Sequence, residues 1–191
     1  NITTTGVGSF GSLDISGDID VDGTTNLDAV DIDGAVDIAG NLTVDGGTIK
    51  LDGNYPTGTG NVALGDAALD DGSLSGGNNT AVGASALTDN TSAGQNTAIG
   101  SFAGTNLTTG GLNVAVGQNA LFTATTGTNN VAVGQGSLDA LTTASDNVAV
   151  GKDALGANTT GPSNTAVGYQ ALATNTTAEL NTAMGYQSLY L

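Results

Sequence analysis

Four residue types that supply much of protein chemistry are missing: the sequence has no cysteine, histidine, tryptophan or arginine. The absence of cysteine excludes disulfides and thiolate metal sites, and the absence of histidine excludes Ser-His-Asp triads and histidine-bound zinc. The only basic side chains are Lys50 and Lys152, against 18 acidic ones, so the net charge is −16. Such a chain cannot present the basic surface that nucleic acid or an anionic membrane requires, and we expect neither as a partner.

Aromatic residues and long apolar runs are also scarce. Aromatics make up 4% of the 191 residues. No apolar run approaches the roughly 18 to 20 residues of a membrane helix, and no basic and apolar signal segment opens the chain. Glycine, asparagine and threonine number 31, 19 and 29, and all three disfavour helix interiors. The composition predicts an all-β protein with short strands and many turns.

Residues 61–191 contain eight copies of the pattern Asn-[Thr/Val]-Ala-[Val/Ile/Leu/Met]-Gly, spaced first by 18 residues and then six times by 17. A leucine follows the glycine by four residues, except in the third copy, which has Gly104 there and Phe102 nearby as a substitute. This strict period predicts a β-solenoid, or β-roll, with one coil per repeat. The chain begins with Asn and ends inside a repeat, so we expect a segment of a longer protein. The repeat-defining residues are Asn61, Gly65, Asn79, Gly83, Asn96, Gly100, Asn113, Gly117, Asn130, Gly134, Asn147, Gly151, Asn164, Gly168, Asn181 and Gly185.

Each repeat is predicted to form a strand, a turn, a shorter strand and another turn. In the sixth copy, alternation places Val148 and Val150 on one face, which we predict to be the core, and Ala149 and Gly151 on a smooth opposite face. Stacked coils would align Asn over Asn and Val over Val. Because each coil holds few aliphatic side chains, a lone chain would be poorly stabilised, and we expect the smooth faces to pack several chains together.

Residues 1–53 follow a shorter rhythm, of about six residues. Apolar-Asp-Gly and similar tripeptides recur, and ten of the 17 aspartates lie here. This pattern predicts an Asp/Gly-rich β shaft of half-buried strands broken by glycine turns. Residues 54–60, which include Pro56, are the predicted junction to the repeats.

Asp18, Asp20 and Asp22 are candidate cation ligands, because they precede Gly23 with the spacing that opens an EF-hand calcium loop. The twelfth position of that loop is Ala29 rather than a glutamate, and no helix pattern flanks it. We therefore favour a strand whose aspartates face solvent, with diffuse cation binding along the acidic shaft.

No catalytic or cofactor site emerges from the sequence. Gly6, Gly8 and Gly11 match Gly-x-Gly-x-x-Gly, but the helix that a dinucleotide site needs does not follow. Glu179 is the only glutamate, and the aspartates follow a repetitive pattern rather than converging on a cleft. We expect no enzyme activity, no cofactor and no dedicated metal site.

A few larger side chains interrupt the uniform repeats near the C-terminal end. They are Tyr169, Gln170, Tyr186, Gln187 and Tyr190. We predict that the tyrosines pack as a ladder between coils, and the alternative is a weak contact with carbohydrate.

Two segments resemble known fibres. The unit Asn-Thr-Ala-Val-Gly-Tyr-Gln-Ala-Leu at 164–172 is similar to head repeats of trimeric autotransporter adhesins, and closer still to repeats of bacteriophage tail fibres and related trimeric surface fibres. The stretch 11–23 resembles the Asp-Gly-rich shafts of phage tail fibres. The resemblance implies a parallel homotrimeric β fibre on a virion tail, whose receptor-binding tip lies outside this segment.

Three functions follow as hypotheses. The first is a shaft segment that spaces a distal tip for host attachment, with other tail proteins as partners and host-surface glycans or receptors bound by the tip. The second is a bacterial trimeric surface adhesin or extracellular filament. The third is a β-helical polysaccharide-degrading enzyme, which would need a cluster of acidic residues that the sequence lacks.

Overall fold

The computed structural model of this chain describes residues 59–190. Those residues contain eight strands of three residues each and no helix. The absence of helix agrees with the high glycine, asparagine and threonine content. The strands are β1 Val62–Leu64, β2 Thr80–Val82, β3 Thr97–Ile99, β4 Val114–Val116, β5 Val131–Val133, β6 Val148–Val150, β7 Thr165–Val167 and β8 Thr182–Met184.

The eight strands form one parallel sheet in the order of the sequence. Equivalent positions of successive repeats are paired, so that Ala132 lies beside Ala149 and Ala149 beside Ala166. Each connection leads from the end of one strand back to the start of the next, which lies one strand spacing further along. One strand and its connection therefore make one turn of a solenoid. For residues 59–190, the prediction of an all-β solenoid with one coil per repeat is confirmed.

The interior of the coil contains small residues and leucines. In β6, Ala149 is fully buried, while Val148 and Val150 are partly exposed. The prediction that these two valines face the core is therefore wrong, and so is the prediction that alanine lies on an outer face. The reason is space: fully buried leucines such as Leu155 share the narrow interior, so the inward-facing residue of the strand must be small.

The second, shorter strand predicted for each repeat does not form in residues 59–190. After the strand of the sixth repeat, Gly151, Asp153 and Leu155 have φ values of 133°, 54° and 50°. Residues with positive φ cannot continue an extended strand, so the chain turns repeatedly. Its backbone groups pair with the next coil instead, as when Leu155 N–H donates to Ala171 O at 3.0 Å.

The third repeat compensates for its missing leucine with neighbouring leucines. Phe102 is 41% exposed and packs edge-on against Phe122, with ring centroids 6.3 Å apart. A Cβ at Gly104 would lie 3.0 Å from side-chain atoms of both Leu87 and Leu107, so these two leucines occupy that space. The interpretation of Phe102 as the substitute is wrong.

The predicted shaft of residues 1–53 and residues 54–58 of the predicted junction lie outside the described residues. The last two junction residues, Thr59 and Gly60, form a turn. Thr59 O accepts a hydrogen bond from Asn78 N–H at 2.9 Å, so this turn pairs with the segment that precedes the strand of the next coil.

Candidate functional site

The motif asparagines form a continuous hydrogen-bonded column through the coils, here called the asparagine ladder. Asn130 is fully buried. Its Oδ1 accepts Asn147 N–H at 3.0 Å, while its Nδ2 donates to Asn113 Oδ1 at 3.1 Å and to Ala144 O at 3.0 Å. The side chain therefore bonds to the coil before it, to the coil after it and to its own coil. The ladder members are Asn61, Asn79, Asn96, Asn113, Asn130, Asn147, Asn164 and Asn181.

The motif glycines form a second column, in which the backbones of successive coils meet. Gly117 has a φ of 132°, and a Cβ placed on it would lie 2.6 Å from the carbonyl carbon and oxygen of Gly134. A side chain at this position would meet backbone that cannot move aside. Glycine is therefore required both by conformation and by the close approach.

A threonine column, which was not predicted from the sequence, runs along another side of the coils. Thr125 Oγ1 donates to Thr142 O at 3.2 Å, and Thr142 Oγ1 donates to Thr159 O at 3.0 Å. From their composition, the segments that hold these threonines were predicted only to form turns. Their recurrence every 17 residues, from Thr91 to Thr176, was the signal that could have revealed the column.

The outward side of the sheet is an uncharged, largely aliphatic surface, here called the valine face. It consists of the first and third residues of each strand. All eight third positions are apolar, seven aliphatic and one methionine, and most are partly exposed, with Leu64 at 58% and Ile99 at 42%. A contiguous apolar strip on a protein surface is typical of an interaction site. Its members are Val62, Leu64, Thr80, Val82, Thr97, Ile99, Val114, Val116, Val131, Val133, Val148, Val150, Thr165, Val167, Thr182 and Met184.

Charged side chains lie elsewhere on the coils. Lys152 Nζ forms an ion pair with Asp153 Oδ2 at 2.6 Å on the surface. Burial raises the pKa of Asp139, and the carboxylate of Asp153 on the next coil raises it further. Within residues 59–190, no three acidic side chains come close enough to hold a metal ion. The candidate ligands Asp18, Asp20 and Asp22 lie outside the described residues.

The tyrosines near the C-terminal end stack from coil to coil. The rings of Tyr169 and Tyr186 are 5.2 Å apart and nearly parallel, at 12°. Gln187 Nε2 donates to Gln170 Oε1 at 2.9 Å, and these two residues are also one coil apart. The predicted tyrosine ladder is confirmed for Tyr169 and Tyr186.

A groove of about 340 Å³ lies near the last complete coil, and none of the side chains that line it is titratable. It is formed by threonine, asparagine, alanine and leucine residues, among them Leu172, Asn175 and Asn181. These groups supply neither a general acid nor a general base. Since residues 59–190 contain no helix, they contain none long and apolar enough to cross a membrane.

Comparison with known proteins assigns no family: no family model, curated protein or solved structure matches this chain. The asparagine ladder and the valine face are therefore the features from which a function is inferred.

Proposed function

We propose that this chain is a structural shaft segment of a phage tail fibre, which spaces a distal receptor-binding tip away from the particle. The observation that carries the proposal is the asparagine ladder, which continues unbroken from Asn61 to Asn181. It links each coil only to its neighbours, so length is set by the number of repeats. A spacer needs that property, whereas an enzyme or receptor-binding domain needs a unique site.

The repeated surface supports a spacer over a recognition domain. A partner recognises particular side chains that are gathered in one place. Seven strand spacings separate β1 from β8, so the array extends over about 34 Å while presenting similar small residues at each coil. Recognition of host glycans or receptors is accordingly assigned to a tip outside this segment, and catalysis is not part of the proposal.

The proposed partners are two further copies of the chain in a homotrimer and other fibre or tail proteins, on the virion tail. The number of copies rests on the resemblance of the repeats to trimeric fibres. The same architecture suits a bacterial trimeric adhesin or extracellular filament. Sequencing of the gene beyond both ends of the segment distinguishes these settings, because an outer-membrane anchor downstream indicates an adhesin and a virion-assembly domain upstream indicates a phage fibre.

The spacer role is tested by removing residues 113–146, which are two whole repeats, from the fibre that carries this segment. In the shortened chain, Val148 takes the place of Val114 in the strand register, so the asparagine ladder stays continuous. The array becomes shorter by two strand spacings, about 10 Å. We expect the shortened fibre to attach to the same host cells as the intact one. As a matched control, removal of residues 113–121, about half a repeat, breaks the register and should destabilise the array. Loss of host attachment by the two-repeat deletion, with assembly and tip intact, would overturn the proposal.

A further inference from the structure

The valine face has apolar character along its whole length. The third strand position is leucine, valine, isoleucine or methionine in every coil, and the first is valine or threonine. None of these 16 positions is charged, although the chain carries a net charge of −16. The face is thus a place where two copies of this acidic protein can meet without bringing carboxylates together.

The spacing of the face matches a second copy of the same chain. Its side-chain rows repeat at every strand, about 4.8 Å apart, over all eight strands. A partner surface stays in register with such rows only when it has the same repeat distance. A second copy of this array has the same repeat distance because it has the same sequence, so the side chains of two copies can interdigitate over the full length.

The area of the face indicates how the copies are arranged. With a length of about 34 Å and a width of about 10 Å for three residues, it offers about 340 Å² per copy. Two copies would then bury about 700 Å², which is below the roughly 1,200 Å² of a stable interface. Arrangement of three copies around a common axis gives each copy two neighbours and brings the buried area of the face to about 1,000 Å². A common axis along the solenoid requires all copies to be parallel.

We infer that the valine face is the surface through which copies of this chain associate, parallel and in register, around an axis that runs along the solenoid, with more than two copies per assembly. The inference deepens the proposed function and rests on it for the presence of several copies in one fibre. It also replaces the predicted interface of smooth alanine faces, because the strand alanines lie inside the coil.

The absence of native cysteine allows a clean cross-linking test on the whole chain. Val133→Cys lies on the face, and Thr143→Cys is a matched control in an exposed turn of the same repeat. Under mild oxidation, the Val133→Cys protein should form disulfide-linked dimers in most chains, and the Thr143→Cys protein only background levels. Val150→Cys, one coil further on, replaces Val133→Cys if that variant loses the circular dichroism spectrum of the unmodified protein.

Direction is tested by Val82→Cys, which lies near one end of the array. In a parallel assembly, two copies of this cysteine meet and cross-link. In an antiparallel pair they lie about five coils, or about 24 Å, apart and do not. Light scattering of the unmodified chain should give a mass above that of a dimer.

A folded monomer in solution would overturn both the inference and the trimer in the proposed function. An assembly that cross-links through Thr143→Cys but not through the valine positions would overturn the inference alone. Cross-linking of Val133→Cys without Val82→Cys would overturn the parallel arrangement.

Discussion

The side-chain oxygen of Asn130 accepts a hydrogen bond at 3.0 Å from the backbone N–H of Asn147, which lies one 17-residue repeat further along the chain. Asn147 immediately precedes strand β6, so this bond sets the position at which the next strand begins. The same relationship recurs between successive motif asparagines. Hydrogen bonding therefore requires the 17-residue period. A shift of one residue in the pairing of successive coils would remove every such bond and exchange the two faces of the strand.

Replacement of Asn130 by leucine should strongly destabilise the array. Asn147 N–H and Ala144 O would both lose their partner inside the coil. An unsatisfied buried polar group costs about 1–3 kcal/mol, so the free energy of unfolding should fall by about 3 kcal/mol or more. Urea denaturation followed by circular dichroism measures this change.

The neighbouring Asn129 supplies the control for that variant. Its side chain is exposed and its φ is 58°, which glycine adopts without strain. Asn129→Gly should change the free energy of unfolding by less than about 0.5 kcal/mol. Equal losses from the two substitutions would refute a special role for the ladder.

Replacement of Asn90 by leucine should stabilise the protein. Asn90 is fully buried, and neither polar atom of its side chain has a hydrogen-bond partner. The residues one and three repeats further on, Leu107 and Leu141, show that the position accepts leucine. Removal of the unsatisfied amide should raise the free energy of unfolding by about 1–3 kcal/mol.

Asn158, four repeats beyond Asn90, is the matched control for that substitution. Its side chain accepts Gly161 N–H at 3.0 Å and donates to Gly161 O at 2.8 Å. Asn158→Leu should therefore lower the thermal midpoint, whereas Asn90→Leu should raise it. Shifts of the same sign in the two variants would contradict this explanation.

Gly117→Ala should unfold or severely destabilise the array. The added Cβ would meet the Gly134 carbonyl at 2.6 Å, and the φ of 132° is unfavourable for alanine. We expect a loss of more than about 2 kcal/mol. Gly72→Ala is the control, because a Cβ there has no atom within 4 Å. If thermal denaturation shows the same midpoint for both variants, the close approach of the glycine column is not a constraint.

Asp139→Asn should stabilise the protein at neutral pH, and the gain should vanish in acid. Burial, and then Asp153, raise the pKa of Asp139, so the folded state binds its proton more tightly than the unfolded state does. The contribution of Asp139 to stability is therefore largest below its unfolded pKa and is lost as the pH rises through its folded pKa. The gain at pH 7 should stay below about 1 kcal/mol because the carboxyl group is partly solvated.

The measurement for Asp139 is the difference in thermal midpoint between the variant and the unmodified protein at pH 7 and at pH 3. Taking the difference cancels the titration of the other carboxylates. A difference that grows as the pH falls would show that the sign of the pKa shift is wrong.

Several features of the fold followed from the sequence because they depend on periodicity. The 17-residue spacing was sufficient to predict the solenoid and the stacking of Asn130 over Asn113. The tyrosine ladder followed from the same spacing, since Tyr169 and Tyr186 are one repeat apart. Hydrogen bonds to specific backbone carbonyls, such as those of the threonine column, did not follow, because they depend on where each turn places its carbonyl groups.

The sequence by itself determined that Val148 and Val150 share one side of a strand and Ala149 the other. Only the tertiary structure decided which side lies inside. Hydrophobicity favours burial of valine. Residues with a left-handed backbone conformation, however, close each coil around a narrow interior that Leu155 and its equivalents already occupy. Alanine fits beside those leucines and valine does not, so close packing of the interior left the valines on the outer face.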